Sequence, residues 1–166
     1  MQSEGVEEAV VLPAAAETAV FRRARWSYRI RGVVLFLPAA AVIALAASLA
    51  PRKAGYGTHQ DLGLPPCAFL TRTGYPCASC GMTTSFAAMA HGRVVEAFLA
   101  HPLGVVMFLG TAAVGLCGLG EAVTGRDVLR ILRPGVWWAV VVGVGLLGGW
   151  AFKIVHGLAT GTLPVR

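Results

Sequence analysis

Three long apolar runs divide the chain and predict its architecture. They cover Gly32–Ala50, Leu103–Gly120 and Gly135–Phe152, and none of them contains a charged residue. A helix needs about 20 apolar residues to cross a bilayer, because each residue adds about 1.5 Å along the axis. Pro38 lies in the first run, but membrane-spanning helices tolerate proline where neighbouring groups satisfy the freed carbonyl. The pattern predicts an all-α polytopic integral membrane protein with three transmembrane helices.

The connection between the first two runs has a different pattern. Glycines and prolines interrupt it as far as Cys77, which excludes long regular structure there. The stretch "MTTSFAAMA" after Cys80 is compatible with a helix, and His91-Gly92 is a stop signal. We therefore expect an irregular loop, a short interfacial helix, a break, and a further helix that continues into the second span.

The whole chain is expected to divide into seven segments. They are a cytoplasmic N-terminal arm that is mobile and then basic (1–31), a transmembrane helix (32–50), an outer cysteine-bearing segment with short helices (51–102), a second transmembrane helix (103–120), a basic cytoplasmic loop (121–134), a third transmembrane helix (135–155) and a C-terminal tail (156–166).

Composition and charge support a membrane location and predict its orientation. Hydrophobic residues make up 56% of the chain and charged residues only 13%, whereas charged residues approach a quarter of a soluble domain. Basic residues precede the first span and fill the loop between the second and third, where cytoplasmic segments carry them. These residues are Arg22, Arg23, Arg25, Arg29 and Arg31, and Arg126, Arg130 and Arg133. The pattern predicts a multi-pass protein of the cell inner (plasma) membrane with a cytoplasmic N-terminus. The net charge of +6 is explained by topology and anionic lipid, and not by nucleic-acid binding.

Candidate chemistry lies in three cysteines of the outer segment. Cys77 and Cys80 have the CxxC spacing, with Pro76 before the pair and Gly81 after it, and Cys67 adds a third sulfur. Thr73-Gly74 and Pro76 permit a tight turn that would return Cys67 towards the pair. We expect Cys67, Cys77 and Cys80 to act as one group, which is called the three-cysteine unit below.

Three chemistries remain open for this unit. A structural zinc site would use the cysteines and a fourth ligand, for which His59, His91 and His101 are candidates. A disulfide would staple the outer segment, as an oxidising compartment favours. A redox pair would need a reactive thiolate, such as one at the start of the short helix. No cofactor is assigned by these residues, although zinc is compatible with them.

Other motifs are weaker. Gly145 and Gly149 form a GxxxG pair that would let two helices pack closely, within the chain, in a homo-oligomer or with a membrane protein partner. Thr83, Thr84 and Ser85 are interpreted as helix-capping residues. Arg93 and Glu96 have the spacing of a surface ion pair. Cys117 is interpreted as a small core residue.

The cysteine motif resembles the signature of a widespread bacterial family of small membrane proteins, known as a domain of unknown function. The family pattern has the form C-P…T-G-x-x-C-P-x-C-G-x-T-R. The resemblance rests on Cys67, Thr73-Gly74, Pro76-Cys77, Cys80-Gly81, Thr83, Gly92, Ala97 and Pro102. The chain departs from the pattern at Ala68 and Ala78, which replace prolines, and at Thr84, which replaces an arginine. The resemblance supports the three-cysteine unit and implies no activity.

No catalytic residue is assigned, because the sequence has no serine-histidine-acid set, paired carboxylates or phosphate-binding loop. The sequence favours a non-catalytic accessory or structural membrane protein whose outer segment is organised by the three-cysteine unit. The alternative is a membrane thiol-disulfide oxidoreductase that uses the CxxC pair.

Overall fold

The computed structural model describes residues 14–132, 135 and 137–161, apart from the side chains of residues 14–21, 24, 131 and 132. Within these residues the chain forms α-helices and 3-10 helices and no strand, so the predicted all-α class is confirmed. The α-helices are α1 (Ala14–Ser48), α2 (Ala68–Thr73), α3 (Met82–Ala90), α4 (Val94–Ala100), α5 (Pro102–Thr124) and α6 (Trp137–Ala159). Short 3-10 helices occupy Thr58–Leu62 and Leu129–Leu132.

Three of these helices are long and apolar enough to cross a membrane, as predicted. They are Arg25–Ser48 of α1, the whole of α5 and the whole of α6. Helix α1 begins at Ala14, inside the segment predicted as an arm, because good helix formers such as alanine and arginine extend the apolar run backwards. Residues 1–13 of that arm, Arg133, and 162–166 of the predicted tail lie outside the described residues.

Helices α1 and α5 pair over much of their length, and small residues bring their backbones together. A Cβ atom built on Gly32 would lie 2.5 Å from the carbonyl oxygen of Gly118, and one on Gly118 would lie 2.8 Å from the oxygen of Gly32. Gly115 faces Ala39 in the same way. Helices in a bilayer gain from such close packing, because apolar side chains alone do not favour protein over lipid.

Helix α6 meets the start of α5 through the face that carries Gly145 and Gly149. Gly145 faces Leu103 and Gly149 faces the ring of His101, where an added Cβ would come within 2.7 Å of each. Gly143 and Gly148 have no such neighbour within 4 Å. The GxxxG pair is therefore the part of α6 that lies against the start of α5.

The segment between α1 and α5 packs on the end of the bundle, which is called the cysteine end below. Its helix α3 contacts α1, α4 and α5, and the buried hydroxyls of Thr58 and Thr84 are hydrogen-bonded at 2.9 Å. The buried Ser85 hydroxyl donates to the carbonyl of His101 at 3.2 Å. The capping interpretation of Thr84 and Ser85 is thus wrong, since both hydroxyls hold α3 to other elements and no side chain caps this helix.

Candidate functional site

The three-cysteine unit forms a cluster at the cysteine end. The sulfur atoms of Cys67, Cys77 and Cys80 all lie within 4.8 Å of one another, and all three are free thiols. Cys67 and Cys77 are half-buried, whereas Cys80 is buried. Cys67, which precedes Cys77 by ten residues, is therefore brought to the CxxC pair, as the sequence predicted.

Local backbone geometry explains the convergence. Cys67 directly precedes α2, and that helix ends at Gly74, whose φ of 76° gives the left-handed cap that glycine favours. The chain then reverses, and a turn with a hydrogen bond from Cys80 N to Cys77 O at 3.0 Å places both CxxC sulfurs on one side. Gly81, with a φ of 89°, connects this turn to α3.

Two side chains of α6, together with His101 just before α5, hold alternate carbonyl groups of the cysteine motif. The indole N–H of Trp150 donates to Pro76 O at 2.8 Å, and the imidazole Nε2 of His101 donates to Ala78 O at 2.9 Å. The ammonium of Lys153 donates to the carbonyl of Cys80 at 3.1 Å. Both residues of α6 lie on the helix face that meets the motif, so α6 fixes the position of the sulfurs.

Lys153 is the most unusual of these side chains, because it is a cation in a helix otherwise suited to lipid. It is only 8% exposed, and it also donates to the carbonyls of Gly55 at 2.8 Å and Ala100 at 3.0 Å. The Tyr56 ring lies 5.5 Å from Nζ, within the range of a cation–π contact. All three N–H donors of the ammonium are satisfied by neutral carbonyls.

The carbonyls of Gly55, Cys80 and Ala100, which together form a cage around the Lys153 ammonium, explain why glycine follows the second cysteine of the CxxC pair. A Cβ on Gly81 would collide with the Lys153 ammonium and would lie 2.6 Å from the carbonyl oxygens of both Ala100 and Gly55. Its positive φ disfavours any other residue as well. Gly81 is therefore demanded by backbone conformation and by space.

The cluster makes its thiols unequal. Burial acts to raise the pKa of Cys67, but hydrogen bonds from Leu70 N–H and the other two thiols outweigh it and lower the pKa to about 7. Burial, reinforced by the Cys67 thiol, raises the pKa of Cys80 to about 12. The half-buried Cys67 therefore loses its proton more readily than Cys80.

The geometry of the three-cysteine unit suits a bound cation. Thiolates at about 2.3 Å from a tetrahedral zinc ion lie roughly 3.8 Å from one another, so sulfurs within 4.8 Å need only small shifts. Three thiolates and Zn²⁺ leave a net charge of −1. Lys153 supplies a positive charge directly behind the Cys80 carbonyl, and its own partners are uncharged.

The histidines that the sequence suggested as a fourth ligand lie outside this group of sulfurs. His59 Nε2 pairs with Pro65 O at 3.2 Å, and His91 Nδ1 pairs with Ala87 O at 2.8 Å, beyond the end of α3. His101 is 1% exposed, and its Nδ1 has no hydrogen-bond partner among the described residues. Burial lowers the pKa of His101, so the ring is neutral and holds the CxxC backbone through Nε2.

A second polar cluster, at the other end of the bundle, was not predicted as a site. Arg31 of α1 forms two hydrogen bonds to the fully buried carboxylate of Glu121, at 2.6 and 2.9 Å. Its guanidinium also reaches Asp127 at 2.6 Å, and Leu129 N–H donates to Glu121 at 2.8 Å. Arg31 thus joins α1 to α5 and to the loop after it. The Arg31 cluster, as it is called below, consists of Arg31, Glu121, Asp127 and Leu129.

The sequence carried signals for both missed features. Lys153 is an ionisable residue near the end of an apolar run, and Glu121 directly follows another; such residues in membrane segments have specific partners. Trp150 gave no comparable signal, because tryptophan is common near membrane interfaces. Only the folded chain shows that its indole N–H reaches the cysteine motif.

Residues 67–115, which carry the three-cysteine unit and the first half of α5, match a family described as protein of unknown function (DUF2752). The predicted resemblance to such a family is confirmed for this part of the chain. Comparison with curated proteins and with solved structures gives no match.

Proposed function

We propose that the chain is a non-catalytic, multi-pass membrane component whose three-cysteine unit binds a zinc ion and so organises the segment 51–102. The convergence of three free sulfurs within 4.8 Å carries this proposal. A disulfide needs only two sulfurs and would leave the third unexplained. Metal coordination uses all three and would keep them reduced in an oxidising compartment.

The surroundings of the unit support a structural role. The carbonyls of Pro76, Ala78 and Cys80 are already held by two side chains of α6 and by His101, which fixes the turn that carries two of the sulfurs. A preorganised site of this kind loses little entropy on binding a metal. A water molecule, or His59 after a local shift, would supply the fourth ligand, whereas His91 lies at the far end of α3 from Cys80. His101 is already committed to Ala78 through Nε2.

The proposed orientation places this unit on the outer face of the bacterial inner membrane, with the N-terminus in the cytoplasm. Support comes from the arginines that precede α1 and from those in the loop between α5 and α6. Reporter fusions test it directly. One at the N-terminus should report the cytoplasm and one near His59 the outside, and the reverse result would contradict the orientation.

Metal content tests the central claim. Purified wild-type protein should contain one zinc ion per chain, measured by elemental mass spectrometry, with the three thiols protected from alkylation until a chelator is added. Substitution of Cys67, Cys77 or Cys80 by serine should abolish zinc binding, since each removes one ligand of a single site. Cys117→Ser is the matched control, because this thiol lies in α5 outside the cluster and its loss should leave the zinc content unchanged.

A second candidate function is thiol-disulfide exchange, favoured by the partial exposure of Cys67 and Cys77. In that reaction a thiolate of the unit attacks a partner's disulfide, one partner thiol leaves, and a second cysteine of the unit displaces the other. The unit is oxidised to a disulfide and the partner is reduced to two thiols. A metal-free protein in which one serine variant traps a mixed disulfide would establish this function and overturn the zinc site.

A further inference from the structure

A cavity of about 530 Å³ is lined in part by Lys153, which also binds the Cys80 carbonyl, and most of the charged side chains in its lining are basic. Its walls come from the loop after α1, from α3 and α4, and from the last turns of α6. Four basic side chains line it against one acidic side chain. They are Arg52, Lys53, Arg93 and Lys153, with Glu96 opposite. This space is called the basic cavity.

The cations on its walls are available to a ligand. Arg52 pairs with Asp61, and Arg93 pairs with Glu96 as predicted. All four side chains of these two ion pairs are between 37 and 48% exposed. Exposed ion pairs contribute little stability, so another oxyanion can exchange with these carboxylates. Lys53 is exposed at the same wall. The basic cavity therefore offers mobile cations to an anion of suitable size.

The floor of the basic cavity adds a fixed positive charge. Lys153 is held by three carbonyls and cannot swing out to meet a ligand, yet its charge remains close to the cavity. A cleft with low-dielectric walls and one predominant sign of charge concentrates ions of the opposite sign. The hydroxyphenyl ring of Tyr56 closes one side of this floor.

The rim of the basic cavity is apolar, which distinguishes it from a site for a free anion. Leu99 of α4 lines the cavity and is 42% exposed. The same helix exposes Val95 and Phe98, at 73 and 49%. Helix α4 ends at Ala100 and the membrane-spanning α5 begins at Pro102, so this apolar strip lies where acyl chains meet headgroups. A ligand that satisfies both the cations and the strip is an anionic amphiphile.

We infer that the basic cavity binds the phosphate-bearing headgroup of an anionic lipid, whose acyl chains lie along the exposed strip of α4. Arg52, Lys53 and Arg93 contact the phosphate, and Lys153 contributes its charge from the floor. This site is distinct from the three-cysteine unit, although Lys153 touches both.

Lipid titration of the detergent-purified full chain, followed by native mass spectrometry, tests the inference. Phosphatidylglycerol should bind at one copy per chain, and phosphatidylcholine should bind much more weakly. The double variant Lys53→Gln/Arg93→Gln should bind phosphatidylglycerol about thirtyfold more weakly, because each basic residue near a membrane surface contributes about a fivefold factor. Lys53→Gln alone, which changes one exposed side chain, should show about a fivefold loss.

The matched control is Arg72→Gln/Arg126→Gln, which removes the same charge from exposed positions outside the basic cavity. It should bind phosphatidylglycerol as the wild type does. Equal binding by the cavity variants and this control, or equal binding of the two lipids by the wild type, would overturn the inference. So would displacement of phosphatidylglycerol by millimolar inorganic phosphate, which would identify a site for free phosphate instead.

Discussion

The two ends of the helix bundle each bury a charged group, but they compensate it differently. In the Arg31 cluster, Glu121 is fully buried and receives a two-point hydrogen bond from the guanidinium of Arg31. At the cysteine end, Lys153 is nearly as buried, and the three partners of its ammonium are backbone carbonyls. One end therefore holds an ion pair, whereas the other holds a cation surrounded by neutral backbone carbonyls.

This difference has a structural consequence. The ion pair of Arg31 and Glu121 needs only α1 and α5, so those two helices can assemble it on their own. The cage around Lys153 needs carbonyls from three separate parts of the segment 51–102, at Gly55, Cys80 and Ala100. The cysteine end thus depends on long-range folding, and a negatively charged metal–thiolate centre would complete its electrostatics.

The largest effect is expected from Lys153→Met. It keeps the length of the side chain but leaves three carbonyls without a donor, so we expect a loss of about 3 kcal/mol or more in unfolding free energy. The segment 51–102 should become protease-sensitive and lose the zinc ion that we propose for it. Arg72→Met, an exposed charge removed from the same segment, is the control and should change neither readout. Intact protease protection in Lys153→Met would contradict the role assigned to the cage.

Gly81→Ala should also destabilise the cysteine end and lower the unfolding free energy by about 2–4 kcal/mol. The new methyl group would meet Lys153 and two carbonyl oxygens, at a residue whose φ is positive. Gly92→Ala is the matched control: its φ is also positive, at 73°, but nothing lies within 4 Å of the added atom. It should lower the unfolding free energy by only about 1 kcal/mol, which is the strain of placing alanine at a positive φ. Thermal unfolding in detergent measures both, and equal losses would show that crowding at Gly81 has no role.

Glu121→Gln tests the opposite end. The amide keeps one acceptor for Arg31 but loses the charge, and Asp127 remains as a partner of Arg31. We therefore expect the unfolding free energy to fall by about 1–2 kcal/mol. Zinc content and alkylation of the three-cysteine unit should stay unchanged, because the Arg31 cluster is independent of the cysteine end. Loss of zinc in this variant would show that the two ends are coupled.

The smallest effect is expected at Gly149. The methyl group of Gly149→Ala would press on the His101 ring, which must shift, at a cost of about 1 kcal/mol. Gly148→Ala, in the same helix with open space around it, should be neutral or slightly stabilising. A comparison of their melting temperatures isolates the contact between α6 and α5. Similar values for the two variants would argue against that contact.

Helical class and cysteine grouping were predictable because they depend on local features. Apolar runs of sufficient length require helices in a bilayer, and a CxxC turn with glycine after it brings two sulfurs together within a few residues. Cys67 was predictable because Gly74 and Pro76 offer one tight reversal. The role of Ser85 was not predictable, because a hydroxyl at a helix start caps by default unless another element approaches it.

The sequence by itself thus determined the membrane-spanning helices and the three-cysteine unit, since short-range pattern and spacing specify both. Tertiary structure alone decided which side chains support that unit. Trp150 and Lys153 lie some 70 residues from the carbonyls of Pro76 and Cys80 that they bind. Their partners are backbone groups, which every residue has, so no residue type in the sequence could mark them. The position of α6 against the cysteine motif made these contacts possible.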